Sequence, residues 1–509
     1  MAIMNAAGAE SSGDRAPNTV DVVVVGGGNA GFCAAHAAHE SGATVLLLEK
    51  ATADEAGGNS FYTAGAFRLV HNGPDDALRG LIDDDITQDR WDRTDLAPYT
   101  RAEFTSDMRR LTDGRCDPAM TDILVEDSAD LASWLAGRGI RWRLMYERQS
   151  YVNDERWVFS GGLAIGTVDG GKGLIAQHTA AAARTGIAIR YGAGVTGLEL
   201  GETPTVRWRE SDGEERSVRA RSVVLAAGGF EADPARRAAH LGPGWERALV
   251  RGNPLNTGEV LDMALDAGAA RHGDWSSCHS VAWDSGAPPQ GGDRQLTNQL
   301  TRQSYPIGIV VNNLGERFVD EGADFRNYTY AKYGREILTQ PDGRAFQLFD
   351  AKTRPLLRTE EYDSKPITSA EADDLATLAD KLGIDADGLA TTVREFNASI
   401  VDVPFDPAVK DGRAARVRPP KSHWAQALDA PPFYGFAVSC GVTFTFGGLH
   451  VDERAQVLDE SGQPLSGLYA AGELVGGLFS GNYPGGSGLT AGAVFGRRAG
   501  RAAAEDRAR

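Results

Sequence analysis

Continuous apolar runs along this chain are repeatedly closed by glycine-rich turns. The first run, Val22–Val25, is followed by the turn GGGNAG and then by small residues to about Ser41. Gly42 ends that segment, and a second apolar run covers residues 44–48. A continuous β-branched run is typical of a strand buried on both faces of a parallel sheet. The pattern therefore predicts a strand, a glycine turn, a helix and a second parallel strand.

Two later segments repeat this pattern. Residues 221–229 read RSVVLAAGG, and residues 467–473 read GLYAAGE. Glycine-capped apolar strands that are far apart in the sequence indicate one sheet assembled from separated segments, with another domain inserted between them. The predicted fold class is therefore α/β, with a Rossmann-like nucleotide-binding domain.

Composition narrows the class of protein. The 509 residues exceed what one compact core usually holds, so at least two domains are expected. The net charge of −18 argues against nucleic acid or an anionic membrane as the main partner. We found no apolar run of membrane-spanning length, and residues 1–18 are predicted to form a disordered leader. The four cysteines lack the spacing of a metal or iron–sulfur site, so no metal is predicted and a cytoplasmic location is expected.

The first glycine turn has the parts of a dinucleotide-binding site. In GxGxxG, Gly26 permits the tight turn, Gly28 lets backbone N–H groups approach a pyrophosphate, and Gly31 lets the helix pack against the strand. Glu49, at the end of the second strand, stands where a carboxylate accepts hydrogen bonds from ribose hydroxyls. The alternative is a turn needed only for packing. The motif alone does not distinguish FAD from NAD.

A second turn, GNYPGGSGLTAGAVFG, lies near the C-terminus at residues 481–496. Its glycines let the backbone come close to a ligand, and residues 487–491 begin a helix of small residues. Because a helix N-terminus attracts negative charge, this turn is predicted to meet the same cofactor from the other end, with Tyr483 toward the substrate.

Together, these segments resemble the fumarate reductase and succinate dehydrogenase flavoprotein family. The resemblance rests on GGGNAGFCAA with LLLEK, GGNSFYTAG, VVLAAGGFE, GERFVDE and GLYAAGE, in that order, and covers the chain from Asp21 to about Ala504. Within the family, YPIGIVVNNLGERFVDEGADFRNYTYAKYGR, GVTFTFGGL and NYPGGSGLTAGAVFGR are similar to the tricarballylate dehydrogenase group.

The resemblance implies non-covalent FAD, held by a domain made of residues 19–252 and 437–509, with an inserted α+β capping domain at residues 253–436. Phe61 and Tyr62 stand near the position where membrane-bound members attach FAD to a histidine, which argues against covalent attachment. The predicted cofactor-binding residues are Gly26, Gly28, Asn29, Ala30, Gly31, Glu49, Lys50, Gly57, Gly58, Asn59, Ser60, Ala227, Gly228, Gly472, Glu473, Ser487, Gly488 and Leu489.

Two departures from the family concern the substrate. Fumarate reductases carry a histidine where this chain has Phe444, and a carboxylate-binding arginine where it has Tyr483. Arg326 matches, allowing one inserted residue, the family's arginine that exchanges a proton with the substrate. The alternative is a structural ion pair of Arg326 with Glu321 or Asp324. An arginine has a pKa above 12, so binding of a carboxylate or a proton relay suits it better than general base catalysis.

The predicted enzyme is an FAD-dependent oxidoreductase that converts a C–C single bond next to a carboxylate or carbonyl into an alkene. Arg326, Tyr328, Tyr330 and Tyr483 are the candidate catalytic residues, although each tyrosine could equally serve packing. A tricarballylate-like polycarboxylate is the favoured substrate. A cyclic ketone or 3-ketosteroid is the first alternative, and a fumarate reductase-like or non-catalytic electron-transfer subunit is the second. The partners expected are this small substrate and an external electron acceptor, which is a carrier protein, a quinone or oxygen.

Overall fold

A computed structural model describes residues 19–83, 86–363 and 367–506. The predicted leader, residues 1–18, lies outside these ranges. The helices cover the following residues: Asn29–Glu40, Gly58–Phe61, Asp76–Leu81, Gln88–Asp92, Arg101–Leu111, Pro118–Ala136, Tyr146–Gln149, Gly170–Thr185, Pro234–His240, Glu259–Asp266, Arg326–Leu338, Thr359–Tyr362, Leu375–Leu382, Ala386–Ala398 and Ser487–Glu505.

The larger sheet is assembled from separated segments, as the sequence predicted. Its strands, in spatial order, are Gly194–Glu199, Thr205–Arg209, Glu215–Leu225, Thr19–Val25, Val45–Leu48 and Ala188–Arg190. Pro464–Ala470 pairs with Glu215–Leu225, and Gln456–Leu458 pairs with Pro464–Ala470. The central strands are parallel, with Val23 opposite both Leu46 and Val223, and Val223 opposite Leu468. The valines of the first run are buried on both sides, which explains their continuous apolar pattern.

Two long helices cover the centre of this sheet. Asn29–Glu40 packs along Ser487–Glu505, and both are rich in glycine and alanine. A Cβ atom on Gly496 would lie 2.4 Å from the carbonyl oxygen of Ala30, and one on Gly500 would lie 2.1 Å from that of Ala34. The small-residue pattern of both segments therefore allows the two helices, which begin at the two glycine turns, to lie in close contact.

The second sheet is mainly antiparallel and belongs to the inserted capping domain. Its strands are Leu249–Val250, Phe433–Thr445, Arg344–Asp350, Ile309–Val311, Cys278–Asp284 and Ser369–Ala372. Helix Arg326–Leu338 packs on Cys278–Asp284 and Phe433–Thr445. The domain limits stay a prediction; strand Phe433–Thr445 crosses the limit at 436/437 and pairs within this second sheet along its length.

Short strands complete the described part of the fold. One small sheet contains Ala66–Phe67, Ile165–Thr167 and Trp142–Leu144, another contains Thr94–Leu96, Arg156–Phe159 and Ser150–Asn153, and a third pairs Arg271–His272 with Gly448–Leu449. The first of these sheets packs beside the C-terminal helix and helps to enclose the space between the two main sheets.

Candidate active site

A cavity of about 750 Å³ runs between the two main sheets. One end is lined by the first glycine turn and by Glu49, at the carboxyl ends of the central parallel strands. The other end is lined by residues of the capping domain, among them Arg326 and Tyr330, and by Tyr483 of the C-terminal turn. Carboxyl ends of parallel strands are where doubly wound sheets bind ligands, so this cavity is the candidate site.

The first turn presents a backbone cradle. A Cβ atom on Gly31 would lie 1.9 Å from the carbonyl oxygen of Gly26, so this glycine allows the helix to pack on the strand and does not line the cavity. A Cβ atom on Gly28 would meet nothing closer than 3.6 Å, because this position faces open space. The N-cap residue Gly28 has no side chain, and although the N–H of Asn29 donates to Ser60 Oγ, the next N–H groups of the first turn are left available for an anion.

Glu49 closes the same end of the cavity. Its carboxylate accepts hydrogen bonds from the backbone N–H groups of Gly27, at 2.6 Å, and Ala51, at 2.8 Å. Burial raises the pKa of Glu49. The carboxylate therefore lies beside the glycine turn, where the sequence placed a ribose-binding acid, and Lys50 lines the cavity next to it.

The GGNS segment forms a short helix along the cavity. Ser60 Oγ accepts from the backbone N–H of Asn29 at 3.0 Å, and Gly58 lines the cavity with it. Asn59 donates to Glu231 at 2.6 Å and to the carbonyl of Thr443 at 2.7 Å, which ties this segment to the capping sheet. Gly57 supports the segment from outside the cavity lining, with φ of 114°.

Two buried carboxyl groups lie where the large sheet meets the capping sheet. Glu231 and Glu473 hydrogen-bond to each other, and burial raises the pKa of both. Glu473 also accepts from the backbone N–H of Thr445 at 2.8 Å. The cavity is lined here by Glu473 and by three of the predicted backbone positions, Ala227, Gly228 and Gly472.

The C-terminal turn is fixed by neighbouring segments. Gly485 donates its N–H to the carbonyl of Asn327 at 2.8 Å, and the buried Arg68 donates to the carbonyl of Gly485 at 2.8 Å. The helix that follows begins after Gly486 with no side-chain cap, and Gly488 and Leu489 line the cavity. Ser487 is buried outside the lining, and its N–H donates to the carbonyl of Pro484 at 3.1 Å.

Arg326 lies in the cavity and does not form the ion pairs that were its alternative role. Glu321 pairs with Arg317, and Asp324 pairs with Arg110 and Lys410. The guanidinium of Arg326 instead donates to the amide oxygens of Gln303, at 2.6 Å, and Gln149, at 2.5 Å, and to the carbonyl of Arg148. Its Nε atom is buried and has no hydrogen-bond partner among the described residues.

Burial lowers the pKa of Arg326 to about 9, and the nearby cations Arg358 and Arg148 add to this effect. The positive charges of Arg358 and Arg148 repel the charge on the Arg326 guanidinium. The buried carboxylate of Glu361 acts in the other direction, but it pairs with Arg148 at 2.8 Å. Arg326 is therefore a buried cation whose neighbourhood favours an incoming anion.

Tyr330 and Tyr483 meet in the cavity. Their hydroxyl oxygens lie 2.5 Å apart, and burial together with Tyr330 raises the pKa of Tyr483 well above its ordinary value. Phe444 and Phe479 pack edge-on against the ring of Tyr483, at centroid distances of 5.4 and 5.2 Å. Phe444, at the position of the family's histidine, thus contributes to an aromatic wall.

Tyr328 is not brought to this site. Its hydroxyl donates to Asp107 at 2.7 Å, and its ring lies against the guanidinium groups of Arg68 and Arg110. Residues two apart on a helix point in directions about 200° apart, so Tyr328 and Tyr330 cannot face the same cavity.

The cavity also contains polar residues that the motif search missed. His279 is buried against Phe444, at a centroid distance of 5.1 Å, and neither of its ring nitrogens has a hydrogen-bond partner among the described residues. Burial lowers its pKa well below the ordinary value, so the imidazole is neutral. Other missed residues that line the cavity are Arg148, Gln149, Arg251, Asn298 and Gln303. For these missed residues, the sequence contains one local indication, the histidine at position 279 within the otherwise largely apolar strand Cys278–Asp284.

The arrangement defines a flavoprotein oxidoreductase. Two helix N-termini that follow glycine turns, an acid at a strand end and one long cavity fit a dinucleotide whose reactive end reaches a second, polar chamber. A family model described as an FAD binding domain matches residues 21–489. The chain belongs to this family, that of the fumarate reductase and succinate dehydrogenase flavoproteins, and it is an FAD-dependent oxidoreductase that acts on carbon–carbon bonds.

Similar proteins carry out related reactions. The chain is 28% identical over 515 residues to NADH:fumarate oxidoreductase of Klebsiella pneumoniae. The match covers 97% of this chain but only 49% of that protein. It is 26% identical over 558 residues to 4-oxocyclohexanecarboxylate 2-dehydrogenase of Sinomonas cyclohexanicum, covering 96% and 94% of the two chains.

Among solved structures, the open conformation of a flavocytochrome c3 fumarate reductase is similar, with a TM-score of 0.71, 26% identity and coverage of 96% of this chain and 78% of that one. In the described part of the chain, no helix combines the length and apolar character that a membrane span needs.

Proposed function

We propose that this enzyme oxidises a C–C single bond next to a carboxylate or carbonyl group to an alkene, with a tricarballylate-like polycarboxylate as the favoured substrate. The observation that carries the proposal is Arg326, a buried guanidinium in the cavity whose described partners are all neutral. A carboxylate of the substrate would supply the missing negative charge and would accept a hydrogen bond from the unpartnered Nε–H of Arg326.

The residues around Arg326 suit this role. Gln149 and Gln303 hold its guanidinium in place, and neither amide can neutralise its charge. When bound, FAD supplies the chemistry that accepts a hydride from one of the two substrate carbons. The protein has to remove a proton from the other carbon and to stabilise the charge that then develops on the adjacent oxygen.

The chamber contains four groups that can hold, donate or accept a proton, namely Arg326, Tyr330, Tyr483 and His279. Arg326, with a pKa of about 9, is closer to releasing a proton at neutral pH than an ordinary arginine. The Tyr330 and Tyr483 hydroxyls form a donor pair that can hydrogen-bond to a substrate oxygen. His279, neutral and without a described partner, offers one further donor and one acceptor.

A cyclic ketone is the second candidate, and the aromatic wall favours it. Phe444, Phe479 and the Tyr330–Tyr483 pair form a surface suited to a ring, and the relative from Sinomonas cyclohexanicum is named for a ring that carries both a ketone and a carboxylate. One contact argues against a 3-ketosteroid. The backbone N–H of Ser487, four residues after Tyr483, already donates to the carbonyl of Pro484, so it is not free to bind a ketone.

Anaerobic reduction of the bound flavin tests the proposal. Purified holoenzyme is mixed with tricarballylate, succinate, 4-oxocyclohexanecarboxylate and a 3-ketosteroid, and the visible absorption of the oxidised flavin is followed. Loss of absorption with tricarballylate, together with formation of an alkene, supports the favoured substrate. Loss with a ketone alone supports the second candidate. If no compound reduces the flavin and a redox protein does, the chain is an electron-transfer subunit and the proposal fails.

The electron acceptor and the cellular location belong to the same proposal. The proposed electron acceptor is a carrier protein, a quinone or oxygen, and the sparse, buried cysteines Cys33, Cys116, Cys278 and Cys440 support a cytoplasmic location. Reoxidation of the reduced holoenzyme by each class of acceptor, measured separately, distinguishes between them.

A further inference from the structure

Arg251 is a second buried cation of the cavity, and none of the sequence motifs contains it. It directly follows the short strand Leu249–Val250, and its backbone N–H donates to the carbonyl of Val442 at 2.8 Å. Gly441 makes room for it: a Cβ atom there would lie 3.3 Å from Cβ of Arg251 and 2.7 Å from Cβ of Trp283. The side chain is 7% exposed and lines the cavity.

The hydrogen bonds of Arg251 leave its charge uncompensated. One terminal nitrogen donates to the Thr443 hydroxyl at 2.9 Å, and the other donates to the Asn298 amide oxygen at 2.5 Å. Its Nε atom is buried without a partner, and among residues 19–83, 86–363 and 367–506 no carboxylate lies within ion-pair distance of it. Burying an unpaired charge is costly, so a guanidinium is retained in such a place when something supplies the opposite charge.

Other buried arginines of this chain are satisfied in different ways. Arg302 pairs with Asp284 at 2.7 Å, and Arg317 pairs with Glu321. Arg237 donates to four backbone carbonyl groups, those of Glu231, Trp245, Glu246 and Ala248. Arg237 also has only neutral partners, but it lies outside the cavity lining and its Nε is satisfied. Arg251 and Arg326 line the cavity, have only neutral partners and each leave a buried Nε without a described partner.

The two cations lie in one electrostatic neighbourhood. Burial and the charge of Arg148 lower the pKa of both Arg251 and Arg326, and the carboxylate of Glu361 acts on both in the opposite direction. Arg148 and Arg358 add positive charge to the same region, and the carboxylates of Glu361 and Glu360, which both pair with Arg148, offset part of it. The chamber is therefore cationic inside a protein whose net charge is −18, and one carboxylate on the ligand would not balance it.

We propose that Arg251 binds a second acidic group of the substrate, so that the enzyme selects compounds with at least two carboxylates, one at Arg326 and one at Arg251. This inference rests on the proposed function, because it places a substrate in the same chamber. It also explains how a site that has Tyr483 in place of the family's C-terminal arginine can still bind a polycarboxylate.

The test compares acids that differ in charge and not in chain length. Tricarballylate has three carboxylates, glutarate keeps its two terminal ones, and pentanoate has one. Each acid is titrated into oxidised holoenzyme at constant ionic strength, and its Kd is obtained from the change in the flavin absorption spectrum. The variants are Arg251→Gln, Arg251→Lys and, as a matched control, Arg354→Gln, which changes an arginine of the capping domain that pairs with Asp363 outside the cavity lining.

In the wild type, we expect glutarate and tricarballylate to bind about 10- to 100-fold more tightly than pentanoate, the range for a charged hydrogen bond. Arg251→Gln should reduce this preference to within about threefold without changing the Kd of pentanoate. Arg251→Lys should keep part of the preference for diacids, and Arg354→Gln should leave the Kd of every acid unchanged. An unchanged preference in Arg251→Gln overturns the proposal. So does loss of FAD from both Arg251 variants with the fold intact, because Arg251 would then belong to the cofactor site.

Measurements of acid binding test the role of Arg251, and measurements of flavin reduction test the dehydrogenase function, so the two proposals can fail separately. If diacids bind through Arg251 but reduce no flavin, the selectivity for two carboxylates stands and the dehydrogenase function fails. If pentanoate or a neutral ketone reduces the flavin equally well in wild type and Arg251→Gln, the dehydrogenase function stands and the role of Arg251 fails.

Discussion

Gly28→Val should separate binding of the cofactor from folding of the domain. At Gly28 the backbone φ is −82°, which any residue can adopt, and an added Cβ would meet only Ser60 Oγ at 3.6 Å and the carbonyl of Gly57 at 4.0 Å. The valine side chain would therefore enter the cavity without disturbing the strand or the helix. The main cost to the fold is the poorer N-cap, about 1 kcal/mol.

The cost to the cofactor is larger. The side chain takes the space through which backbone N–H groups reach the pyrophosphate, and overpacking of this kind costs about 1–3 kcal/mol, or roughly 5- to 150-fold in Kd. FAD at 100 times its Kd stabilises the wild type by about 2.7 kcal/mol, and a 100-fold weaker Kd leaves about 0.4 kcal/mol of that.

The assay is thermal unfolding with and without added FAD, together with the flavin content of the purified protein. Gly28→Val should unfold near the wild-type temperature without FAD and should lose most of the FAD-dependent increase. Gly80→Val, where a Cβ meets nothing within 4 Å, is the control for adding a side chain and should keep the increase. Gly31→Ala should instead destabilise the fold with and without FAD, because its Cβ would lie 1.9 Å from the Gly26 carbonyl oxygen. Wild-type FAD affinity in Gly28→Val would refute the assignment of the first turn.

Three further predictions concern the substrate chamber and the cofactor. Arg326 is charged below its pKa of about 9 and neutral above it. The affinity for pentanoate should therefore be constant at neutral pH, where the acid is ionised, and should fall as pH rises through about 9. The affinity of Arg326→Gln for pentanoate should not fall in this pH range. In stopped-flow measurements, Tyr483→Phe and Tyr330→Phe should slow reduction of the flavin by substrate about 100-fold or more. Tyr328→Phe should change this rate by less than about threefold. Equal effects of all three variants would contradict the placement of Tyr328 outside the cavity. Denaturation in acid should release all the flavin into the filtrate, since Phe61 and Tyr62 offer no histidine for attachment, and flavin retained on the polypeptide would contradict this.

The nucleotide half of the site was accessible from the sequence because its determinants are local. Gly26, Gly28 and Glu49 lie within one strand–helix–strand unit, and each is required by a backbone approach or a strand end. Of the predicted cofactor-binding residues, Gly31, Gly57 and Ser487 support the cavity from behind without lining it. A motif does not distinguish these two roles.

The substrate half was less accessible because it is assembled from distant segments. Arg326 and Tyr483 were found through motifs, but Arg148, Arg251 and His279 come from segments that have no motif and meet only in the folded chain. Tyr328 was included because it lies beside Tyr330 in the sequence, and helical periodicity places it on the opposite face. The ion-pair alternative for Arg326 also depended on proximity in sequence, whereas Glu321 and Asp324 pair with other cations.

In the proposed function, Arg326 binds the carboxylate of a substrate that reduces the bound flavin. The most direct test is anaerobic mixing of tricarballylate with wild-type and Arg326→Gln holoenzymes of equal flavin content. We expect loss of flavin absorption and formation of an alkene in the wild type, and a rate slower by about 1,000-fold or more in Arg326→Gln. Equal rates in the two proteins, or a wild-type flavin that no carboxylate reduces, would contradict it.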